Sequence, residues 1–393
     1  MALRRVIIAS AAAVALAAAG TATALAVHGS GADKPAAIKA RLAAASCSGP
    51  SGAGYIALPG YQAFDAVNTD SCKLVQQYNV GDPIVPGTQI PGDDDEQDFN
   101  YSSTNEGVAL TGGTLYFADT GNDTVAVLDT AQLKVSNYEN PTETLVHVGQ
   151  DPQSVAVTPD GTQVWVADSG PQTGGPSLGG ISVISTATDT VTATLPLPTD
   201  PRVIAFSPSG GTAYVTSGAG LLVINTATLQ VVATIHGLGN PEGVTVSPDG
   251  NTVYVTNTVQ GVVEVISAAT NTVTGTIKVG QLPWQLVLSS DGSTLYVADG
   301  DSDAISVIST ASDSVTDTIP DAGDPVSVAL TPDGSRLWVG GLTSGVVTVF
   351  DTATDALVGS FNVGYGGTKN PNAGDGEEPT GIVLTTTLTA GGS

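Results

Sequence analysis

The sequence predicts an all-β protein, a seven-bladed β-propeller of four-stranded antiparallel blades. Three observations predict it. Short apolar, alternating runs recur with a period of about 40 residues, the spacing of propeller blades. One turn chemistry separates these runs throughout the chain. An incomplete unit near the N-terminus lacks the strand that a fragment near the C-terminus supplies.

The chain opens with Arg4 and Arg5, then an apolar, Ala-rich stretch over residues 6–19 and the small-x-small triplet Ala24-Leu25-Ala26. This order reads as an export signal over residues 1–26, cleaved after Ala26. Kept uncleaved, the stretch is barely long enough to span a bilayer, so a leader anchor is the alternative. Residues 27–51 read as an Ala/Gly-rich linker, and residues 52–393 as the propeller. Cys47 and Cys72, the two cysteines of the chain, lie beyond the leader. An even count in an exported protein favours a disulfide, worth about 3 kcal/mol for a loop of this length; two unpaired thiols remain the alternative.

One repeat shows the pattern in full. It begins at Asn240-Pro241-Glu242-Gly243-Val244 (strand a) and turns at Ser247-Pro248-Asp249-Gly250. Tyr254-Val255-Thr256-Asn257 follows in strand b, Val263-Glu264-Val265-Ile266 in strand c, and a strand d ends at Val279. Thr158-Pro159-Asp160-Gly161 and Thr331-Pro332-Asp333-Gly334 repeat the a–b turn. There Pro presets φ, Asp caps the turn and Gly takes the positive φ of a tight hairpin. Six complete units start near Asn105, Pro152, Pro201, Pro241, Pro283 and Pro325. The leftover strands b, c and d around Tyr55 to Val80 and the strand a at Thr380 to Leu384 make the seventh blade. A shared blade fastens the ring and hides two sheet edges that would otherwise invite aggregation.

Tyr254-Val255-Thr256-Asn257, with the variants Tyr214-Val215-Thr216-Ser217, Tyr296-Val297-Ala298-Asp299 and Trp165-Val166-Ala167-Asp168, resembles the tetrapeptide of the YVTN β-propeller repeat family. The resemblance spans about residues 52 to 390. It implies surface-layer or YncE-like secreted propellers, with lactonases and quinone- or haem-dependent electron-transfer proteins as more distant kin. The motif carries packing, so the resemblance speaks to fold more than to chemistry.

Charge narrows the partners. Lys and Arg number 11 against 37 Asp and Glu, a formal net charge of −26. Such a surface repels phosphate backbones and anionic lipid, so nucleic acid is excluded and a membrane is reached only through an uncleaved leader. A monomer binding a small molecule, a polymer or a protein is expected.

Sites are sought where the repeats differ. The longest insertions, residues 82–104, 364–377 and 169–180, fall in d-to-a and b-to-c connections, which emerge on one face. Loops on a rigid scaffold commonly carry function. On that face the residue after the blade-opening position varies around the ring: Glu106, Gln153, Arg202, Glu242, Trp284, Val326 and Thr380. These are expected at the mouth of the central channel, converging on a polar ligand; the alternative is that they merely solvate the channel, with Arg202 paired to a neighbouring Glu. Asp299, Asp301 and Asp303 alternate as in calcium loops, but Ala304 and Thr310 break the EF-hand pattern. Calcium is the one cofactor these residues raise. Neither His147 nor His236 is expected near the channel, which disfavours His-dependent catalysis. Three readings stay open: a non-catalytic binding or scaffold protein; a metal-assisted, lactonase-like hydrolase or lyase using Glu106 or Glu242 with Arg202 at an oxyanion; and structural surface-layer material.

Overall fold

The computed structural model describes residues 53–58, 63–68, 73–79, 107–132, 143–171, 178–321, 323–342, 345–362 and 381–385. The proposed leader and linker, Cys47, Cys72, Glu106, Thr380 and the loops 82–104 and 364–377 lie outside them.

Every described strand belongs to a four-stranded antiparallel sheet. The N-terminal strands are β1 (Ala53–Leu58), β2 (Ala63–Asn68) and β3 (Lys73–Asn79). Blade 1 holds β4 (Val108–Thr111), β5 (Thr114–Asp119), β6 (Thr124–Asp129) and β7 (Glu143–His147). Blade 2 holds β8 (Pro152–Val157), β9 (Gln163–Asp168), β10 (Gly180–Ser185) and β11 (Thr190–Pro196). Blade 3 holds β12 (Pro201–Phe206), β13 (Thr212–Ser217), β14 (Gly220–Asn225) and β15 (Gln230–Ile235). Blade 4 holds β16 (Pro241–Val246), β17 (Thr252–Asn257), β18 (Val262–Ser267) and β19 (Thr272–Lys278). Blade 5 holds β20 (Pro283–Leu288), β21 (Thr294–Asp299), β22 (Ala304–Ser309) and β23 (Ser314–Pro320). Blade 6 holds β24 (Pro325–Leu330), β25 (Arg336–Gly341), β26 (Val346–Asp351) and β27 (Ala356–Asn362). The last strand, β28 (Gly381–Thr385), pairs with β1 to complete the seventh sheet in the order β28-β1-β2-β3.

That pairing is antiparallel, with Ile56 opposite Ile382 and Gly54 opposite Leu384. The innermost strands neighbour one another in the order β4, β8, β12, β16, β20, β24, β28 and back to β4. The ring is therefore closed by strands from both ends of the chain, as the two incomplete repeats predict.

The local chemistry follows the turns. Gly161, Gly250 and Gly334 take φ of +72°, +74° and +71°. In each hairpin a hydroxyl donates to the turn carboxylate: Thr158 to Asp160 at 2.7 Å, Ser247 to Asp249 at 2.6 Å, Thr331 to Asp333 at 2.7 Å. These bonds hold the Asp160 and Asp249 carboxylates below their ordinary range.

Packing runs between blades more than within them. In blades 1 to 6 strand b is buried over five of its six residues, and its alternate residues face the two neighbouring blades. Trp165 on β9 meets Phe206 of blade 3 edge-on, ring centroids 5.4 Å apart. Tyr116, at the same place on β5, reaches from blade 1 to blade 2 and donates to Asp189 at 2.9 Å. The outermost strands, such as β11, alternate between exposed and half-buried residues.

Candidate functional site

Among the described residues the second residue of strand a is buried in blades 2, 4, 5 and 6. In β8, β12, β16, β20 and β24 the pairing with strand b shifts register just after the initial Pro, between Pro201 and Ile204 in β12 and between Pro241 and Val244 in β16. A β-bulge at this point re-aims the side chain that follows the Pro. Gln153, Glu242, Trp284 and Val326 are consequently buried, at 1%, 3%, 7% and 2% exposure. These described members of the expected polar ring are therefore packed away from solvent, while Glu106 and Thr380 lie outside the described residues.

In blades 3 and 4 the Thr of the strand-b motif ties this bulge; blades 2, 5 and 6 carry the bulge with Ala167, Ala298 and Gly340 at that place. Thr216 Oγ1 accepts the Val203 N–H at 3.0 Å and donates to the Glu242 carbonyl of the next blade at 2.8 Å. Thr256 repeats this one blade on, accepting from Gly243 N–H at 2.7 Å and donating to the Trp284 carbonyl at 2.7 Å. One hydroxyl thus fixes the bulge of its own blade and the position of its neighbour.

Arg202 and Glu242 meet in the seam between blades 3 and 4. The guanidinium donates from Nη1 to Glu242 Oε1 and to Asn240 Oδ1 at 2.7 Å, and from Nη2 to Asp200 Oδ2 at 3.1 Å. Asn240 Nδ2 donates to the same Glu242 oxygen at 2.9 Å and to Thr258 Oγ1 at 3.1 Å. The Arg202 and Glu242 side chains are only 11% and 4% exposed. Burial pushes the Glu242 carboxyl up to about 7, against the pull of Arg202 and Asn240. Asp200 is half-buried, yet the Arg202 charge and backbone donors hold it below the ordinary range. Arg202 is therefore paired to a neighbouring Glu, the alternative set out for it above.

Gln153 stands apart from this network. Its Nε2 donates to Asp151 Oδ1 at 2.8 Å. Trp284 packs beside Gly300 in its own blade, where a Cβ on that glycine would come within 2.9 Å of Nε1.

The channel itself is lined by the third and fourth residues of the inner strands. A cavity of about 180 Å³ there includes Ser154, Gly243, Gln285 and Ile382. Small residues let the inner strands approach closely: a Cβ on Gly107 would lie 2.2 Å from Val155 N, and one on Gly243 2.7 Å from the Trp284 carbonyl.

Asp299, Asp301 and Asp303 do not converge. Asp299 is fully buried and turned into the blade, where its Oδ2 accepts from Ser306 Oγ at 2.6 Å. Burial raises its carboxyl to about 6, opposed by Ser306 and the Gly280 N–H. Asp301 is exposed, and Asp303 takes the left-handed conformation that starts β22. The alternation that resembles a calcium loop instead comes from a strand end running into a tight turn. Asp168 repeats the buried arrangement in blade 2, its Oδ2 accepting from Ser182 Oγ at 2.6 Å.

A divalent ion does not fit these residues. Glu242 Oε1 already takes two donors, one of them a cation, and Asp299 is committed to strand c. Among the described residues no group of three or more His, Cys, Asp or Glu is placed to hold a metal. The residues that sequence reasoning missed are Asp200, Asn240 and the buried Asp168. Asn240 and Asp200 each stand immediately before the blade-opening Pro, and that shared place was the signal for them.

Comparison with known proteins agrees with this architecture. A family model described as "Lactonase, 7-bladed beta-propeller" matches residues 182–316, from the third strand of blade 2 into the last strand of blade 5. The chain is a seven-bladed β-propeller. It is similar to a functionally unknown protein from Desulfotomaculum acetoxidans DSM 771, with a TM-score of 0.65 and 18% identity over 85% of this chain and 99% of that one. Kuenenia stuttgartiensis hydrazine synthase matches with a TM-score of 0.54 and 23% identity, over 67% of this propeller and 80% of that chain. The dihydro-heme d1 dehydrogenase NirN, solved in complex with DHE, matches with a TM-score of 0.57 and 15% identity, over 86% of this propeller and 75% of that chain. At these identities the likeness is one of fold. No curated protein matches the sequence.

Proposed function

We propose that this propeller is an exported, YVTN-type, non-catalytic binding or scaffold protein that works through its b–c and d–a loop face. One observation supports the reading: of the two carboxylates that a channel-mouth hydrolase would use, Glu106 and Glu242, the described one, Glu242, is buried against Arg202 and Asn240. A general base or metal ligand needs an oxygen free to meet the substrate or ion. Here the charged residues of the face neutralise one another across a blade seam, which holds the scaffold and leaves ligand contact to the loops. The signal-like N-terminus and the acidic composition suit a soluble protein outside the cytoplasm.

The lactonase-like alternative has the family-model match in its favour, and one assay separates the two. Full-length protein is mixed with glucono-δ-lactone or an acyl-homoserine lactone, with Ca2+, Mg2+, Mn2+ or Zn2+ added, and ring opening is followed by proton release. The binding reading expects rates equal to those of Glu242→Gln and of buffer. Metal-dependent turnover that disappears in Glu242→Gln, with the fold intact by circular dichroism, would establish the enzyme instead.

A further inference from the structure

The seam between blades 1 and 2 holds a cavity of about 290 Å³ that the channel-mouth reading does not use. Its size suits a small ligand. Asp168, at the end of β9, lines it and is only 3% exposed. Ser182 Oγ donates to Asp168 Oδ2 at 2.6 Å, and the Gly149 N–H lies 3.3 Å from that hydroxyl. Among the described residues no donor reaches Asp168 Oδ1, which is buried. Val191, Leu195 and Pro196 supply apolar walls. Leu178, 63% exposed, and His147 stand at the rim.

The repeat supplies its own comparison. The seam between blades 4 and 5 has the same parts: Asp299 for Asp168, Ser306 for Ser182, and Gly280 for Gly149, each glycine close against its carboxylate. One residue differs decisively. Where blade 1 ends in His147-Val148-Gly149, blade 4 ends in Lys278-Val279-Gly280. Lys278 Nζ donates to the Gln260 and Gly261 carbonyls at 2.9 and 3.0 Å, and its charge favours the Asp299 carboxylate. At the place of Gly261, blade 1 carries Asp123, whose carboxylate accepts the Asp151 N–H at 2.9 Å and adds a negative charge near Asp168. No Lys or Arg lines the cavity. The blade 1–2 seam therefore adds the Asp123 charge and lacks the exposed Lys278 charge near its carboxylate. Among the described residues Asp299 Oδ1, like Asp168 Oδ1, meets no donor, but no cavity of this kind opens on it from Lys278.

We propose that the cavity between blades 1 and 2 binds a primary ammonium on a short alkyl chain. The ammonium head meets Asp168 Oδ1 in the field of Asp123, and the methylenes lie along Val191 and Leu195. The net charge of −26 draws such cations toward the surface. This site is separate from the channel mouth and stands whether or not the mouth binds anything. Its ligand is either a free alkylamine or the side chain of a lysine on another molecule.

Isothermal titration calorimetry on the full chain at pH 8 tests it. The probes are n-pentylammonium, Nα-acetyl-lysine methylamide, 1-pentanol and pentanoate. Saturable binding of at least one ammonium probe, with neither 1-pentanol nor pentanoate binding, supports the site. Preference for the lysine amide points to a protein ligand, and preference for pentylammonium to a free amine. Asp168→Asn should weaken binding at least tenfold. His147→Lys, an exposed change that sets a positive charge at the rim, should weaken it at least tenfold, and it keeps the test decisive if Asp168→Asn does not fold. No binding by either ammonium probe, equal binding by 1-pentanol, or undiminished binding in His147→Lys would overturn the assignment.

Discussion

Replacing Arg202 with Met probes the seam between blades 3 and 4 directly. Met keeps much of the aliphatic stem and removes the charge, leaving Glu242 without its cation at 4% side-chain exposure. Breaking a buried ion pair from one side costs about 3–5 kcal/mol, because the surviving charge stays buried and uncompensated. That is a large share of the roughly 5–15 kcal/mol that holds a domain folded. Because burial already lifts the Glu242 carboxyl to about 7, the lone carboxyl can escape part of the penalty by taking a proton. The loss should therefore be smaller at pH 5 than at pH 8. Removing both charges in Arg202→Met, Glu242→Gln should restore part of the stability, giving a coupling of about 2 kcal/mol or more between the two sites. Urea unfolding followed by the fluorescence of Trp165, Trp284 and Trp338 measures all four members of the cycle. A single-variant loss below about 1 kcal/mol, in the range of exposed pairs, or strict additivity in the double variant, would refute the view that this pair is a buried clamp.

Three further predictions follow from the same geometry. Burial raises Asp168 to about 7 and Asp299 to about 6, so between pH 4 and these values the folded state keeps protons that the unfolded chain has released. Stability should fall as pH rises through this window, by up to about 4 kcal/mol for Asp168 and about 3 kcal/mol for Asp299, and Asp168→Asn or Asp299→Asn should flatten the slope in pH-dependent urea titrations. Ending the chain before Gly381 removes β28 and with it Ile382 and Leu384, which pack on the cluster of Ile56, Trp338, Val347 and Val349. Thermal scans should show a loss of at least about 3 kcal/mol, the burial value of two aliphatic side chains, and light scattering should report association through the bared edge. Gly243→Ala sets a methyl 2.7 Å from the Trp284 carbonyl and 2.6 Å from Leu286 Cδ2, so a loss of about 1–3 kcal/mol from overpacking is expected in the same urea assay.

Much of the architecture was legible in the sequence because its signals are local. Pro-Asp-Gly turns act within four residues, and the alternation of Val and Thr fixes which face of each strand is buried. Ring closure was legible too, since a strand a without successors and a b–c–d unit without an opener have one mutual solution. The site was less so. Whether the side chain of Glu242 faces the channel or the seam depends on the bulge at the start of β16, and that bulge is held by Thr216 of one blade and Thr256 of the next. Such contacts join residues 26 and 13 apart, and alternation counted from the Pro cannot register them. Asp299 misled for a related reason. Its neighbours in sequence imitate an ion-binding loop, while the partner that decides its direction, Ser306, sits across a turn on the adjacent strand.

The pairing of β28 with β1 also sets the timing of assembly. As the polypeptide emerges from its N-terminus, the first three strands wait through the making of every other blade for the segment that completes their sheet. Until it arrives, the nascent protein is an open arc with two unsatisfied borders, exposed to chaperones and proteases for the whole interval. The final strand is thus the latch that turns a growing chain into a finished disc.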